Sequence, residues 1–534
     1  MVNKPEARGP AEIKVVADIP RYHARTRPDY AAMIYEGRVT TYAELDRRTS
    51  QLANGLIAAG LKPQSRVAFL DKNSDRFFDI YLGTAKSNTV LVGVNWRLAP
   101  PEVAYVINNA GAEALFIGHE YLPMLAQIRA ELTTVRLVVV IASPTGEAGD
   151  GSLPEFDAWQ ASQSAVDPML AIAGQDTAIQ LYTSGTTGHP KGVELTNDNV
   201  LCGAGLIYSG AYGTWGDAEV NMVCMPAFHV AGSNWGLVGL YAGATDVILR
   251  EVDPTKILDG LGRYKVTKSF FVPAVILILL QHPQCASTDF SHLNLIGYGA
   301  SPIPLELLRE GLSTFKCGFV QCYGLTETTG TVVALVPADH DPEGTPKMRS
   351  CGQPLEGTEI RILGADGEIK GPGEVGEILI KGPLVMKGYW KNPEATAKSI
   401  QDGWFYSGDA GYTDEDGYLY IYDRVKDMIV SGAENIYPAE VESALFGHPA
   451  IADVAVIGVP DQKWGEAVKA VVVLKTGASA TAEEIITFAR QKIAAYKCPK
   501  TVDFIEALPR NPSGKLLKRE LREPYWAGYD RRVN

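Results

Sequence analysis

The sequence predicts an α/β protein with a barrel-like antiparallel subdomain and a small α+β domain near its C-terminal end. Short apolar runs alternate with amphipathic stretches through most of the chain, a pattern typical of strands and helices in layered α/β folds. A chain of 534 residues is also too long for one hydrophobic core, so at least two domains are expected. The local pattern changes near residue 353 and again after about residue 426.

The first well-marked helix is predicted to begin after Thr41. Thr41 as N-cap and Glu44 three residues later have the spacing of a capping box, and Gly60 follows the last apolar turn. A strand is predicted at 66–70. The apolar run 270–280 contains a proline and is too short to span a bilayer, so we interpret it as core.

Two later regions differ in texture from this α/β pattern. Residues 353–382 alternate short apolar strands with glycine and proline, which predicts an antiparallel, barrel-like subdomain. Strands are predicted at 454–459 and 467–475, and a helix that opens with a second capping-box pattern is predicted over 481–496. The last hundred or so residues are therefore expected to form a small α+β domain.

Charge and cysteine usage exclude several classes of protein. The formal net charge is −13, so nucleic acid is not an expected partner, although a local basic funnel for a small polyanion is compatible with it. The seven cysteines show no C-x-x-C spacing, which favours reduced thiols and a cytoplasmic location over disulfides or a zinc site. No secretory signal and no transmembrane segment are predicted.

The stretch "YTSGTTGHPKG" at 182–192 has the composition of a phosphate-binding loop. Its glycines let backbone N–H groups approach an anion, and its hydroxyl groups and lysine add donors and a positive charge. A flexible surface loop is the alternative on composition alone. The loop follows a predicted strand, 178–183, which is where α/β proteins place ligand-binding backbone. It is not a P-loop, because Lys191 follows a proline rather than a glycine.

Three further polar stretches are candidates for function. In "QCYGLTETTG" at 321–330, Tyr323 offers a face for stacking, Thr326 a phosphate donor and Glu327 a hard oxygen ligand for magnesium, against the alternative of a surface turn. Asp409 lies in a Ser-Gly-Asp turn and could accept from a ribose diol or belong to an acidic loop. Lys515 follows a Pro-Ser-Gly turn in a basic segment, which is otherwise typical of a solvated tail.

Taken together and in this order, the four stretches resemble those of the adenylate-forming superfamily of acyl- and aryl-CoA synthetases, firefly-type luciferases and peptide-synthetase adenylation domains. The resemblance extends from about residue 20 to about residue 522 and is strongest to AMP-forming fatty-acyl-CoA synthetases. It implies an N-terminal adenylation domain, 1–425, with two α/β sheets and a small β-barrel. It also implies a mobile C-terminal domain, 426–534.

The resemblance implies a two-step reaction with ATP, Mg²⁺ and coenzyme A. A carboxylate attacks the α-phosphorus of ATP to give an acyl adenylate and pyrophosphate, and a thiol then displaces AMP. By this resemblance the β- and γ-phosphates are held by the loop residues Thr183, Ser184, Gly185, Thr186, Thr187, Gly188 and Lys191. The adenine is flanked by Gly299, Ala300, Ser301, Tyr323 and Gly324.

The remaining roles are implied in the same way. Asp409 and Arg424 take the ribose hydroxyl groups, while Thr326 contacts phosphate and Glu327 holds Mg²⁺. For the first step, the resemblance implies that Lys515 bridges the attacking carboxylate and the α-phosphate in the transition state. For the second step, it implies that Lys426 is the hinge of the C-terminal domain and that Gly432 lines the pantetheine tunnel. The next residue is Ala433, where relatives often have glycine.

The acyl pocket is less well defined by the sequence. His229, next to Phe228, matches the family position at the mouth of this pocket, although a core histidine is an alternative. No aspartate lies between 222 and 237, which disfavours an amino-acid substrate, and Trp235 lies near the gating tryptophan of some long-chain synthetases. The small, apolar residues that follow His229 suit an aliphatic or aryl tail.

The function predicted from the sequence is therefore an AMP-forming acid–CoA ligase. A medium- or long-chain fatty acid, or a related hydrophobic acid, is the favoured substrate. An aryl or cinnamate-type acid, or a carrier-protein thiol as acceptor, are the alternatives, and a non-catalytic nucleotide-binding protein or a luciferase-like oxygenase is less favoured. A homodimer is a further hypothesis.

Overall fold

The computed structural model describes residues 9–183, 190–424, 427–431, 434–461, 464–510 and 516–527. Over these residues the chain is a mixed α/β protein with a large N-terminal domain and a small C-terminal domain. The predicted fold class is confirmed. The predicted boundary between residues 425 and 426 lies outside the described residues and stays a prediction.

The helices and strands follow one another through the N-terminal domain. Up to residue 196 they are α1 (Asp18–Thr26), β1 (Ala31–Tyr35), β2 (Arg38–Thr41), α2 (Tyr42–Ala58), β3 (Arg66–Leu70), α3 (Asp75–Lys86), β4 (Val90–Gly93), α4 (Pro100–Ala110), β5 (Ala112–Gly118), α5 (Leu122–Ile128), β6 (Leu137–Ile141), α6 (Phe156–Ala161), β7 (Thr177–Thr183) and β8 (Lys191–Thr196). Up to residue 355 they are α7 (Asn197–Gly205), β9 (Val220–Val223), α8 (Val230–Ala242), β10 (Thr245–Ile248), α9 (Pro254–Arg263), β11 (Lys268–Phe271), α10 (Pro273–Gln281), β12 (Leu295–Gly299), α11 (Leu305–Phe315), β13 (Gly318–Tyr323), β14 (Val333–Leu335) and β15 (Gln353–Pro354).

Shorter strands dominate the rest of the chain. Up to residue 424 the elements are β16 (Glu359–Leu363), β17 (Gly376–Lys381), β18 (Gly388–Tyr389), α12 (Pro393–Ser399), β19 (Ile400–Gln401), β20 (Trp404–Thr413) and β21 (Leu419–Arg424). The C-terminal domain contains β22 (Ile429–Ser431), β23 (Glu434–Ile436), α13 (Pro438–Phe446), β24 (Ile451–Asp461), β25 (Gly465–Leu474), α14 (Ala482–Arg490), β26 (Thr501–Phe504) and α15 (Lys518–Trp526).

Two largely parallel sheets form the main layers of the N-terminal domain. The seven-stranded sheet has the order β18-β8-β7-β4-β3-β5-β6, and the nine-stranded sheet has the order β15-β14-β13-β12-β11-β9-β10-β1-β2. In the first sheet β8 runs antiparallel to β7, so the predicted phosphate loop joins these two strands. In the second sheet β12 and β13 are parallel neighbours. Their carboxyl ends therefore carry Gly299 and Tyr323 to the same edge, where α/β proteins bind ligands.

The antiparallel sheet of the N-terminal domain has the order β16-β17-β20-β19, with β21 paired to β20. This sheet confirms the predicted barrel-like subdomain, although its predicted start was wrong. Residues Gln353 and Pro354 form β15, which pairs with β14 in the nine-stranded sheet. The antiparallel sheet begins at Glu359 and continues to Arg424.

The C-terminal domain has its own sheet, with the order β23-β22-β25-β24 and β26 parallel to β25. Apolar side chains of β24, β25 and α13 form a buried cluster in this domain. The predicted strands are confirmed, but α14 ends at Arg490 rather than at 496. Cys498 is buried in the core cluster of this domain, so tertiary packing overrides the helix propensity of the segment after Arg490.

Several local predictions are confirmed by the hydrogen bonds. Thr41 and Glu44 form a complete capping box at α2, and Gly60 has a φ of 81°, which glycine adopts without strain. The run 270–280 forms the end of β11 and most of α10, largely in the core. All seven cysteines are free thiols. Among the described helices, none is both long and apolar enough to cross a membrane.

Candidate active site

The two ends of the predicted phosphate loop are held by β-pairing. Thr183 ends β7 and lies opposite Lys191, the first residue of β8. The Lys191 ammonium lies over the ring of Tyr389, with Nζ 4.8 Å from the ring centroid. The loop residues Ser184, Gly185, Thr186, Thr187 and Gly188 lie outside the described part of the chain, so their roles stay predictions.

Tyr323 and Asp409 are joined although they lie on different sheets. The Tyr323 hydroxyl donates a 2.9 Å hydrogen bond to Asp409 Oδ2, and both residues are buried. Burial, together with the Asp409 carboxylate, raises the pKa of Tyr323 well above its usual value, so the phenol stays protonated and donates. Arg424 lies opposite Asp409 on the neighbouring strand β21, and its side chain lies outside the description.

Close backbone approaches shape the predicted adenine-binding segments. A Cβ atom on Gly299 would lie 2.2 Å from the Cys322 carbonyl oxygen, and one on Gly324 would lie 2.2 Å from the carbonyl oxygen of Gly330. Both positions therefore require glycine. Ala300 is exposed and has a φ of 67°, a left-handed conformation that non-glycine residues adopt at a cost. Ser301 follows it and is half-buried.

The candidate magnesium ligand Glu327 lies in a short 3-10 turn directly after β13. The turn spans Thr326–Thr328 and is closed by a 2.8 Å hydrogen bond from the Leu325 N–H to the Thr328 hydroxyl. Thr326 is half-buried, whereas Glu327 is 9% exposed. One carboxylate oxygen of Glu327, Oε1, accepts a 2.9 Å hydrogen bond from the Tyr389 hydroxyl.

The chemistry of Glu327 fits a magnesium ion that is shared with a bound phosphate. Its second oxygen, Oε2, makes no hydrogen bond to any residue that the structure describes, and a carboxylate oxygen is a ligand that Mg²⁺ prefers. Within the described ranges there is no cluster of three acidic, histidine or cysteine side chains that could hold a metal alone. The remaining ligands would be phosphate oxygens and water, which is the usual way in which nucleotide enzymes bind Mg²⁺.

His229 caps helix α8 and is neutral at physiological pH. Its carbonyl oxygen accepts hydrogen bonds from the N–H groups of Gly232 and Ser233, and its ring centroid lies 4.6 Å from that of Phe228. Burial, with a smaller effect of the Arg97 charge, lowers the pKa of His229 to about 4. His229 is half-buried, but its Nε2 atom is buried without a hydrogen-bond partner among the described residues, so this atom reaches a substrate only if its neighbours move.

An apolar cavity of about 90 Å³ lies beside these segments. It is lined by α7 and α8, by the loop after β13, and by Ala300 and Gly324. Trp235 lies in its wall, with its ring in edge contact with Tyr212 and Trp215 and tilted against Phe270, at centroid distances of 5.9, 6.0 and 5.7 Å. Of these rings, Tyr212, Trp235 and Phe270 line the cavity. The position of Trp235 fits a wall residue of the acyl pocket.

Two residues at this site were not selected from the sequence. Tyr389 contacts both Lys191 and Glu327, and the Asn234 side-chain N–H donates a 2.9 Å hydrogen bond to the Thr329 carbonyl in the loop after Glu327. Asn234 lies five positions after His229, and Tyr389 lies in a segment rich in turn-forming residues. Neither position carries a sequence signal beyond an aromatic or amide side chain near glycine. Lys515, Lys426 and Gly432 lie outside the described residues.

The geometry agrees with what comparisons with known proteins show. Residues 21–390 match the model of the AMP-binding enzyme family, and residues 440–515 match that of the AMP-binding enzyme C-terminal domain. The chain belongs to the AMP-binding enzyme family. It is an AMP-forming acid–thiol ligase, and ATP is its nucleotide substrate.

Similar proteins cover nearly the full length of the chain. A fatty acid–[acyl-carrier-protein] ligase, ScoC, of Streptomyces coeruleorubidus is 39% identical over 98% of this chain and 99% of its own. A feruloyl-CoA synthase of an Amycolatopsis species is 39% identical over 95% of this chain and 98% of its own. The crystal structure of ATP-bound MatB from Rhodopseudomonas palustris is 31% identical, covers 96% of this chain and 100% of its own, and superimposes with a TM-score of 0.86.

Proposed function

We propose that this ligase joins coenzyme A to a compact hydrophobic carboxylic acid, either an aryl acid or a medium-chain fatty acid. The observation that supports this proposal is the apolar cavity of about 90 Å³, which adjoins the segments expected to hold the adenylate. Its wall includes Ala300 and Gly324, which belong to the segments expected to flank the adenine, and also Trp235. We therefore assign this cavity to the acyl tail.

The size of the cavity favours the compact end of the predicted substrate range. An apolar cavity of roughly 150 Å³ holds one benzene ring, and pockets for larger ligands measure about 300–1,000 Å³, so even a compact tail requires the cavity of about 90 Å³ to widen. A long fatty chain would require Trp235 and its aromatic neighbours to move apart. The relatives named above act on a fatty acid and on ferulate, so both kinds of tail occur among similar proteins.

In the first step the acid's carboxylate oxygen bonds to the α-phosphorus of ATP while the bond from that phosphorus to the β-phosphate bridging oxygen breaks. Pyrophosphate leaves and the acyl adenylate remains. No base is required, because the acid is already ionised, so catalysis consists mainly of positioning and charge stabilisation. We assign Lys191, Thr183 and the loop between them to the leaving phosphates, and Lys515 to the charge that develops at the reacting carboxylate and α-phosphate.

Glu327 would hold Mg²⁺ through the oxygen that does not bind Tyr389, with Thr326 beside it as a phosphate donor. When bound, the ion neutralises charge on the phosphate oxygens. Asp409 and Arg424 are assigned to the ribose, and Tyr323, Gly299 and Ser301 to the adenine.

In the second step the coenzyme A thiol loses its proton to solvent and its sulfur bonds to the acyl carbonyl carbon, while the bond from that carbon to the phosphate oxygen breaks and AMP leaves with the electron pair. Lys426 is assigned as the hinge that moves Lys515 away, and Gly432 as a wall of the pantetheine tunnel. His229 is assigned to the mouth of the acyl pocket. A homodimer and a cytoplasmic location stay predictions from the sequence.

Pyrophosphate release across a panel of fatty, aryl and amino acids, each with and without coenzyme A, tests the proposal. We expect coenzyme A-dependent thioester formation that is fastest with one compact hydrophobic class of acid. Fastest turnover with a long-chain acid would contradict the assigned size class. Pyrophosphate release without thioester, restored by a phosphopantetheinylated carrier protein, would contradict the assigned acceptor.

A further inference from the structure

Tyr389 connects the two parts of the site that are assigned to the ATP phosphates. Lys191 Nζ lies 4.8 Å from the centroid of its ring, and its hydroxyl donates a 2.9 Å hydrogen bond to Glu327 Oε1. Lys191 belongs to the seven-stranded sheet, whereas Glu327 follows a strand of the nine-stranded sheet. One side chain therefore contacts both the phosphate-loop cation and the candidate metal ligand.

The backbone around Tyr389 fixes the position of this side chain. Strand β18 pairs antiparallel with β8, which places Tyr389 opposite Val193, and the Tyr389 N–H donates to the Thr396 hydroxyl at 2.9 Å. The next residue, Trp390, donates from its backbone N–H to the Gly192 carbonyl at 2.7 Å. The Trp390 ring also stacks under the Arg66 guanidinium at 3.3 Å. These contacts hold the backbone on both sides of Tyr389, which limits the positions that its side chain can take.

The environment strengthens the contact with Glu327. Tyr389 and Glu327 are 8% and 9% exposed, so the hydrogen bond is formed in a region from which water is largely excluded. A hydrogen bond to a charged acceptor is about twice as strong as one between neutral groups. Burial and the nearby carboxylate raise the pKa of Tyr389 above its ordinary value, so the hydroxyl keeps the proton that it donates.

We propose that Tyr389 is a positioning residue for adenylate formation. Its hydroxyl orients the Glu327 carboxylate so that Oε2 faces the metal-bound phosphates, and its ring supports the Lys191 ammonium through a cation–π contact. The Tyr389 side chain thereby links the start of β8 to the candidate metal ligand, beside a backbone hydrogen bond of 2.8 Å from the Met386 N–H to the Glu327 carbonyl. This inference rests on the proposed roles of Lys191 and Glu327.

Two substitutions separate the two contacts. Tyr389→Phe keeps the ring beneath Lys191 and removes the hydroxyl, whereas Tyr389→Leu removes both. We expect Tyr389→Phe to weaken the binding of MgATP about tenfold, as for the loss of one hydrogen bond to a charged group, and to leave the binding of metal-free ATP in EDTA unchanged. Tyr389→Leu should weaken the binding of both forms of the nucleotide.

Tyr418 provides a matched control. Its ring also lies under a lysine, with Lys347 Nζ 4.4 Å from the centroid, and its hydroxyl donates a 3.0 Å hydrogen bond to Asp339. Tyr418→Phe therefore removes the same kind of hydroxyl at another place in the fold. We expect it to leave both nucleotide affinities as in the wild type.

Isothermal titration calorimetry of ATP, with Mg²⁺ and in EDTA, is the deciding experiment, and it requires no knowledge of the acid or the acceptor. Equal effects of Tyr389→Phe and Tyr418→Phe, or a Tyr389→Phe variant that still binds MgATP as the wild type does, would overturn the proposal. Glu327→Gln is measured alongside. If Mg²⁺ no longer raises the ATP affinity of Glu327→Gln but still raises that of Tyr389→Phe as in the wild type, Glu327 keeps its role as metal ligand and the proposed role of Tyr389 is wrong. If wild-type protein binds ATP no better with Mg²⁺ than in EDTA, the proposed metal role itself falls, and with it this inference.

Discussion

The hydroxyl of Tyr323 donates a 2.9 Å hydrogen bond to Asp409 Oδ2, which joins the end of strand β13 to strand β20 of the antiparallel sheet. The two residues are 86 positions apart in the chain. The bond holds one carboxylate oxygen of Asp409 in place and ties the orientation of the tyrosine ring to it. Adenine stacking and ribose binding are therefore expected to depend on each other.

Substitution of Asp409 tests this coupling. Asp409→Asn keeps the shape of the side chain but removes its charge, so a ribose diol loses a strong acceptor. We expect the KM for ATP to rise by at least tenfold, as for hydrogen bonds to a charged group worth about 1.5–3 kcal/mol, with a smaller change in kcat. Tyr323→Phe should raise the same KM by a smaller factor. Pyrophosphate release as a function of ATP concentration measures both.

The exposed turn residue Asp416 lies in the same hairpin, between β20 and β21. Asp416→Asn is therefore the control for a change of charge, and it should leave the KM for ATP at the wild-type value. An Asp409→Asn variant with an unchanged KM would exclude Asp409 from the ribose site.

Lys515→Ala is expected to separate the two half-reactions. The lysine is assigned to the charge that builds up as adenylate forms, and loss of one such donor costs roughly a hundred- to a thousandfold in rate. Thioester formation from supplied acyl adenylate should continue near the wild-type rate. Arg519→Ala, at an exposed position of α15, is the control. Equal loss of both half-reactions would remove Lys515 from its assigned role.

Lys426→Pro is expected to have the opposite effect. Proline fixes φ near −65°, so a hinge at this residue could not make the rotation that the second step requires. Adenylate formation should persist and thioester formation should fall, as measured by pyrophosphate and thioester release from the same sample. Thioester formation at the wild-type rate would place the hinge at another residue.

Trp235→Ala is expected to lengthen the acyl pocket. The indole is 5% exposed and is packed among three other aromatic rings, so its removal leaves space at the end of the cavity. The preferred acid in a series of saturated fatty acids should become longer, at a cost of about 3–5 kcal/mol in the free energy of unfolding. Ile278→Ala, at an exposed site on α10, should leave the preference unchanged. A Trp235→Ala variant that folds and keeps the original preference would exclude this wall as the limit on length.

His340 should contribute to a loss of stability in acid. Burial lowers its pKa to about 4 from an ordinary value of 6.5, so the unfolded chain takes up the proton at a higher pH than the folded one. Its contribution is complete above pH 6.5 and is lost as the pH falls towards 4. Between pH 6.5 and 4.5 the loss should be about 2 kcal/mol.

The hydrogen bonds at His340 show why its neutral form is preferred. The Val336 carbonyl accepts from Nδ1 at 2.9 Å, which leaves Nε2 to accept from the Tyr298 hydroxyl at 3.0 Å. Urea unfolding at several pH values should therefore show a smaller pH dependence for His340→Gln than for the wild type. His292→Gln, on the surface, is the control for loss of a histidine. An equal pH dependence of the wild type and His340→Gln would contradict the assignment.

Local features of the fold were predictable because their causes lie within a few residues. The capping box of Thr41 and Glu44 involves residues three positions apart, and four of the five residues of β3 at 66–70 are apolar, so the sequence predicted both. The end of α14 was not found. Cys498 is buried in the core of the domain and Lys497 forms an ion pair with Glu440, and no local pattern reports such contacts.

The candidate site divides in the same way. Lys191, Tyr323, Glu327 and Asp409 stand in polar, glycine-rich segments that attract attention without a structure. Tyr389 does not, because its importance comes from contact with Glu327, 62 positions away. The size of the apolar cavity likewise cannot be predicted from the sequence, since segments between Val200 and Thr331 contribute to its wall.

The sequence by itself determined the fold class, the family and the chemical types available at the site, because apolar periodicity, capping and glycine-rich motifs are local properties of the chain. Only the tertiary structure decided how these groups meet: the bond from Tyr323 to Asp409, the position of Tyr389 between Lys191 and Glu327, and the aromatic end of the cavity at Trp235. The physical reason is that hydrogen bonds and packing act over a few ångströms in space, whereas the residues that make these contacts are separated by tens of positions along the chain.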